Sequence, residues 1–252
     1  MPPTPTSSPP QTLTPPSLED GNPETNEDTP WGVMPEPDIS DVIIEDGKPV
    51  DNWISEKQQR LLTTSAYSSF TFDDPFILTA NVGLFYADKQ APLVPDVMLS
   101  LRVTCPNDWT QNKNRSYFVW NMGKAPDVAI EIVSNKVGNE LGSKLQDYAK
   151  AGVGYYVVFD PFQTLSQDVL RIYERRGVSY HLRSDDFLEE VNLGLTLWSG
   201  EFEGSSYGHW LRWCDRSGQI FLTGDEKFQQ EKHRADRLAQ LLKNHGIDPN
   251  AL

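Results

Sequence analysis

Cysteine is scarce in this chain: Cys105 and Cys214 are the only two, and they lie far apart with no CxxC pair. That spacing excludes a thiolate zinc site and a disulfide framework, and both residues read as core or near-surface thiols. Long apolar runs are also missing. No stretch approaches the roughly 20 consecutive apolar residues that a membrane-spanning helix needs, and the opening MPPTPTSSPP has neither the basic start nor the apolar run of a signal peptide. The expectation is a soluble, cytoplasmic protein that does not engage a membrane. His181, His209, His233 and His245 show no HExxH spacing, no GxxxxGK or GxGxxG run precedes a helix, and no GxSxG elbow occurs. Zinc hydrolysis, nucleotide-triphosphate binding and serine hydrolysis are thereby set aside.

Positive charge is absent from one whole segment, since residues 1–47 carry ten acidic side chains and no Lys or Arg. The net charge of −14 is concentrated there; the rest of the chain holds 26 acidic against 22 basic residues, or −4. A nucleic-acid partner is therefore not excluded, because Lys113, Arg115, Lys136, Lys144 and Lys150 can form a local positive rim. Eleven of the nineteen prolines fall within the first 40 residues. Such a segment buries too little apolar area to offset chain entropy, so residues 1–40 are predicted to be a disordered Pro-rich acidic tail, with PxxP-type docking as its functional alternative. Apolar residues make up 38% of the whole chain, enough for one core. The domain is expected over residues 41–222, with an amphipathic C-terminal helix over 223–252.

Periodicity outlines the elements. NWISEKQQRLLTTSAYSSF places Trp53, Ile54, Leu61 and Leu62 at near-helical intervals and predicts a first helix. FILTANVGLFY and VPDVMLSLRV read as two strands and APDVAIEIVS as a third. In GNELGSKLQDYAKAG, Leu141, Leu145, Tyr148 and Ala149 mark an apolar helical face that Gly152 stops, and YYVVFDP follows as a strand buried on both faces. Strand, helix, strand in that order implies a right-handed crossover and a parallel pair. Hairpins are expected at VLRIYERRGVSYHL, turning at Arg176-Gly177, and at LRWCDRSGQIFL, turning between Asp215 and Gly218. The final DEKFQQEKHRADRLAQLLKNHG sets Leu238, Leu241 and Leu242 on one side of a helix, able to dock on the domain or pair with a second copy.

Carboxylates on otherwise apolar strands carry the chemical information. In PDVAIEIVS, Val128, Ile130 and Ile132 point one way and Asp127, Ala129, Glu131 and Val133 the other; in VPDVMLSL, Asp96 shares a side with Val94 and Met98. A charge within a sheet face is costly unless it is paired or holds a metal. Two such carboxylates on adjacent strands suit a hard divalent cation, because Mg²⁺ takes oxygen ligands and needs only one or two from the protein. A lysine is then expected nearby, to orient water or to meet charge on a phosphate. Val133 stands where a strand lysine would share the face of Glu131, and Lys144 on the next helix is the substitute, with Glu140 as a solvated helix residue or salt-bridge partner.

EDGKPV, ILTANVGLFY, VPDVMLSL, APDVAIEIVS, GNELGSKLQDYAKAGV and YYVVFDP, in that order, resemble the Uma-two family of restriction endonucleases. The resemblance implies an α/β, restriction-endonuclease-like fold of the PD-(D/E)XK type, a mixed β-sheet flanked by helices, with a displaced lysine. It further implies Mg²⁺ or Mn²⁺ as cofactor and hydrolysis of DNA phosphodiesters. By position, Asp96 and Glu131 are the implied metal carboxylates and Lys144 the implied catalytic lysine; Asp127 matches a frequent acidic position without a fixed role, and Tyr148 a packing tyrosine. One departure stands out: where such proteins often carry an acid and a histidine, this chain has Asn52-Trp53-Ile54-Ser55, so a supporting acid would have to come from Asp51 or Glu56. The alternatives are a nuclease fold kept as a binding or regulatory module without turnover, and an adaptor built on the Pro-rich tail and the last helix. A homodimer would suit a nuclease that cuts both strands of a duplex.

Overall fold

The computed structural model describes residues 52–87, 90–135, 138–246 and 248; the expected tail over residues 1–40 lies outside them. In chain order the elements are α1 (Trp53–Ser69), β1 (Phe76–Ala80), β2 (Leu84–Phe85), β3 (Val97–Leu101), β4 (Tyr117–Phe118), α2 (Val119–Met122), β5 (Val128–Ile132), α3 (Ser143–Ala151), β6 (Tyr155–Phe159), β7 (Leu170–Arg176), β8 (Ser179–Leu182), β9 (Phe187–Leu188), β10 (Leu193–Phe202), β11 (Ser205–Cys214) and α4 (Gly224–Asn244). A six-stranded mixed sheet runs β1-β3-β5-β6-β7-β8, in which β5 and β6 are parallel and the other neighbours antiparallel. The parallel pair is joined through α3, as the strand-helix-strand pattern predicts, and Gly152 closes α3 in the left-handed region at φ 87°.

Alternation along the central strands divides the core into two layers. Val97, Leu99, Val128, Ile130, Ile132, Val157 and Phe159 pack with Leu62 and Ala66 of α1 and with Leu193, Leu195, Leu211 and Trp213 of a second sheet, β11-β10-β9. Met98, Ala129, Val133, Tyr156 and Val158 face the other way, against Tyr148 and Ala151 of α3 and the short parallel pair β2-β4. β3, β5 and β6 are buried along their whole length. Each wholly buried Val, Leu or Ile contributes roughly 1.5–3 kcal/mol, so these three strands dominate the stability of the layer pair.

Several boundaries differ from expectation, each for a local reason. FILTANVGLFY is split between β1 and β2 because Asn81 adopts φ 54° and turns the chain out of the main sheet. Trp53 and Ile54 do not lie on the buried stripe of α1. Asn52 caps the helix, its side chain accepting from the amides of Ile54 and Ser55 at 3.1 and 2.9 Å, which leaves Trp53 85% exposed. The stripe that is buried is half polar: Ser55, Gln58, Gln59, Leu61, Leu62, Ser65 and Ala66. Gln58 explains part of that, because its amide donates to the carbonyl of Leu211 at 2.8 Å and accepts from the Leu211 N–H at 2.9 Å. The first late hairpin, β7-β8, forms as predicted around Gly177 at φ 65°. The second is displaced: β10 and β11 turn at Glu203-Gly204, both at positive φ, whereas the Asp215–Gly218 turn leads only to an isolated bridge between Cys214 and Ile220. Asp215 accepts from the amides of Ser217 and Gln219 there, so the turn chemistry is present without a strand to follow.

α4 is fastened by its first turn. Thr223 and Glu226 form a reciprocal capping box. Arg212, wholly buried on β11, donates to both carboxylate oxygens of Glu226 at 2.9 and 2.7 Å and to the carbonyl of Phe221 at 2.8 Å. Beyond that turn the helix leaves Phe228, Leu238 and Leu241 exposed. Among the described residues no helix is long and apolar enough to cross a membrane. Burial opposes the charge on Glu226, but Arg212 and the Thr223 amide outweigh it and hold the carboxyl below its ordinary range. Because the folded-state value is depressed, the bridge stabilises the fold above the ordinary glutamate range, and that contribution is lost as pH falls through the lowered value. Glu226→Gln is expected to cost about 1–3 kcal/mol at neutral pH. Denaturant titrations at a series of pH values should also show a flatter acid limb for the variant than for wild type.

Candidate active site

The site begins with a carboxylate in the wrong medium. Glu131 is the fourth of the five residues of β5, between Ile130 and Ile132, and is 3% exposed. Its side chain emerges on the α3 face with Ala129 and Val133, as the alternation predicts. Two groups of α3 meet it there: the Tyr148 hydroxyl donates to Oε1 at 2.6 Å and the Lys144 ammonium to Oε2 at 2.8 Å. Helical spacing of four residues puts both donors on the same side of α3. Burial raises the Glu131 carboxyl above its ordinary range, with Lys144 and Tyr148 acting against that rise. Burial likewise disfavours charge on Lys144, but Glu131, then Glu140 and Asp96, outweigh it and the ammonium is held above the usual lysine range. Tyr148 is kept protonated, and therefore a donor, first by burial and then by the carboxylate beside it.

Asp96 precedes β3 by one residue. Val97 pairs with Ile130 across the antiparallel strands, a register that brings Asp96 level with Glu131. Its Oδ2 accepts from the Ile132 amide at 2.6 Å and its Oδ1 from Gln59 Nε2 at 3.1 Å. Gln59 in turn accepts from Asn81 Nδ2 at 3.0 Å, so a helix residue and a turn residue orient the aspartate together. Asp96, Glu131 and Lys144 are thus brought to one face of the sheet by three different elements.

Two other acidic residues are separated by the fold. Asp127 stands at the far end of β5, where its carboxylate takes the Lys124 ammonium at 2.6 Å and the Leu101 amide at 2.7 Å; it ties β3 to the start of β5 and takes no part in the Glu131 cluster. Glu140 is neither solvated nor on the helix. It sits ahead of α3, 5% exposed, with Oε1 3.3 Å from Lys144 Nζ and with Oε2 buried and without a hydrogen-bond partner. Tyr148 does more than pack, and Glu56 bonds to Arg60 at 3.1 Å within α1 rather than supporting Asp96. Asp51 lies outside the described residues, as does Lys136. Of the other cations of the expected rim, Arg115 donates to the carbonyls of Trp109 and Thr110, and Lys150 pairs with Asp147 at 2.8 Å.

Gln59 and Tyr148 are the two residues that sequence reasoning missed as parts of the site. A signal existed for Gln59, because it falls at core-facing helical spacing with Leu62 and Ala66, where a polar residue needs a partner. The donor set is made only of oxygens, with no thiolate or imidazole, and Glu140 Oε2 is an orphaned buried acceptor; both features fit a hard cation. Among the described residues no three His, Cys, Asp or Glu side chains converge closely enough to hold a metal by themselves. Mg²⁺ or Mn²⁺ would therefore complete its shell with water and substrate oxygens.

Residues 38–199, more than half of the chain, match the model of the Uma2 family, described as "Putative restriction endonuclease". A crystal structure of a "putative nuclease" from Anabaena variabilis aligns with 57% of this chain and 77% of its own, at 15% identity and a TM-score of 0.39. No curated protein matches.

Tyr148→Phe removes what is, among the described residues, the only donor to Glu131 Oε1 and leaves a buried carboxylate oxygen bare. A loss of about 1–3 kcal/mol in urea unfolding is expected. An unchanged midpoint would mean that packing against Tyr156, 4.9 Å away ring to ring, is all that Tyr148 supplies.

Proposed function

The chain belongs to the Uma2 family, and on that premise we propose that it is a metal-dependent endonuclease that hydrolyses DNA phosphodiester bonds. Asp96 and Glu131 are the carboxylates that hold Mg²⁺ or Mn²⁺, and Lys144 is the catalytic lysine. The observation that carries this reading is the 2.8 Å contact by which a helix lysine reaches a carboxylate buried in the central sheet. A structural ion pair so placed brings no net gain over apolar packing, because two charges must leave water to form it. A site that must collect a cation and a phosphate has reason to keep it.

When bound, the metal supplies Lewis acidity toward a phosphate oxygen and a water of lowered pKa. The protein's own part is positional. Gln59 and the Ile132 amide fix the Asp96 carboxylate, and Tyr148 fixes one oxygen of Glu131, so both ligands are set before substrate arrives. Lys144 stays charged beside them, two-thirds buried, where its ammonium donates to a phosphate oxygen or aligns the attacking water. Before substrate binds, the same ammonium compensates Glu131 and makes its burial tolerable. A homodimer would present two such sites to the two strands of a duplex.

Nicking and linearisation of supercoiled plasmid with Mg²⁺ or Mn²⁺ tests the reading. Asp96→Asn, Glu131→Gln and Lys144→Met, each checked for folding by circular dichroism, are expected to lose roughly 10²–10⁴-fold in rate. No metal-dependent cutting by wild type, or equal cutting by the variants, would instead favour a nuclease fold that binds or regulates without turnover.

A further inference from the structure

Lys144 has a second carboxylate whose role the proposed chemistry does not use. Glu140 is buried at 5% exposure in the turn ahead of α3, and its backbone is pinned there because its carbonyl accepts from the Tyr156 hydroxyl at 3.0 Å. A Cβ at Gly138 would stand 1.8 Å from Glu140 Oε1, so the turn approaches the carboxylate in its present position through a residue without a side chain. The enclosure is nevertheless unfinished: Oε1 reaches Lys144 Nζ at 3.3 Å, longer than the 2.8 Å contact to Glu131, and Oε2 is buried with no hydrogen-bond partner. Buried carboxylate oxygens are ordinarily satisfied, and one left bare calls for a partner, whether a water, an ion or a group that arrives in another state.

We propose that Glu140 is the positioning residue that takes over the Lys144 ammonium when a divalent cation engages Glu131. This rests on the metal-dependent reading above. A cation at Glu131 repels the ammonium that shares its carboxylate, and without a second anion Lys144 would either block the cation or swing into solvent. Glu140 offers the ammonium two oxygens, one already in contact and one without a hydrogen-bond partner. The lysine then remains in the site, displaced from the ligand but within reach of a phosphate. Glu140 acts through Lys144 and is not itself a ligand, consistent with the lack of a three-residue metal cluster among the described residues.

Mn²⁺ binding to the purified full chain without DNA, followed by titration calorimetry, separates the possibilities. Wild type, Glu140→Gln, Lys144→Met and the double variant are compared as a cycle, with thermal unfolding recorded for each. Glu140→Gln is expected to weaken Mn²⁺ binding by about 10–100-fold, because the lysine now competes for Glu131 undivided. Lys144→Met should bind at least as tightly as wild type, and adding Glu140→Gln to it should change nothing further. Glu140→Asp, which keeps the charge, should retain most of the affinity and serves if the amide variant does not fold. Equal loss in both backgrounds would make Glu140 a direct ligand and overturn the proposal. Unchanged Mn²⁺ affinity in Glu140→Gln would reduce Glu140 to a structural role and overturn it while leaving the metal site standing. No Mn²⁺ binding by wild type would sink the metal-dependent reading itself, and this inference with it.

Discussion

The burial of the Glu131 carboxylate is the constraint from which the rest of the site follows. A charged group on a fully buried strand must be met by partners, and around it three elements assemble the site. α3 brings Tyr148 and Lys144 from one side, four residues apart. Strand β3 enters at a register that sets Asp96 beside the Ile132 amide, and α1 reaches across with Gln59 to hold that aspartate. Removing the Glu131 charge would take from Tyr148 and Lys144 the reason to point inward, while Gln59 answers to Asp96.

Much of this arrangement was legible in the sequence because it depends on local periodicity. The alternation in PDVAIEIVS assigned Val128, Ile130 and Ile132 to one layer and Ala129, Glu131 and Val133 to the other, and the structure divides them in the same way. The strand-helix-strand order foretold the parallel β5-β6 pair, and the spacing from Glu131 to Lys144 made the helix lysine the natural partner. What local pattern could not reveal are contacts fixed by tertiary approach. Asp127 shares a strand face with Glu131 yet belongs to Lys124 and β3, because it stands at the opposite end of the strand. Glu140 has helical spacing from Lys144 but lies before the helix begins, so it is enclosed where a helix-surface residue would be solvated. The late hairpin was misplaced because Asp215–Gly218 carries stronger turn chemistry than Glu203-Gly204, and only the pairing of two ten-residue strands decides between them.

α1 joins these parts through neighbouring residues with different duties. Gln59 serves the main sheet through Asp96, and Gln58, one position earlier, serves the second sheet through Leu211. The helix is thereby tied to both sheets by hydrogen bonds whose geometry is more demanding than apolar packing, and its rotation about its own axis is set by both at once. The same rotation presents Leu62 and Ala66 to the central strands and turns Trp53 outward.

The two bonds between Gln58 and Leu211 have a further consequence. β11 is the outer strand of its sheet, paired with β10 on one side and bridged on the other only near its end, at Cys214–Ile220. An outer strand offers a row of open donors and acceptors on which another chain can build. By donating to the carbonyl and accepting from the amide of one residue, Gln58 imitates the next strand for a single step and stops there. A helix glutamine thus closes one step of a sheet edge with its side-chain amide, beside a strand charge, Arg212, that is turned inward and spent on Glu226.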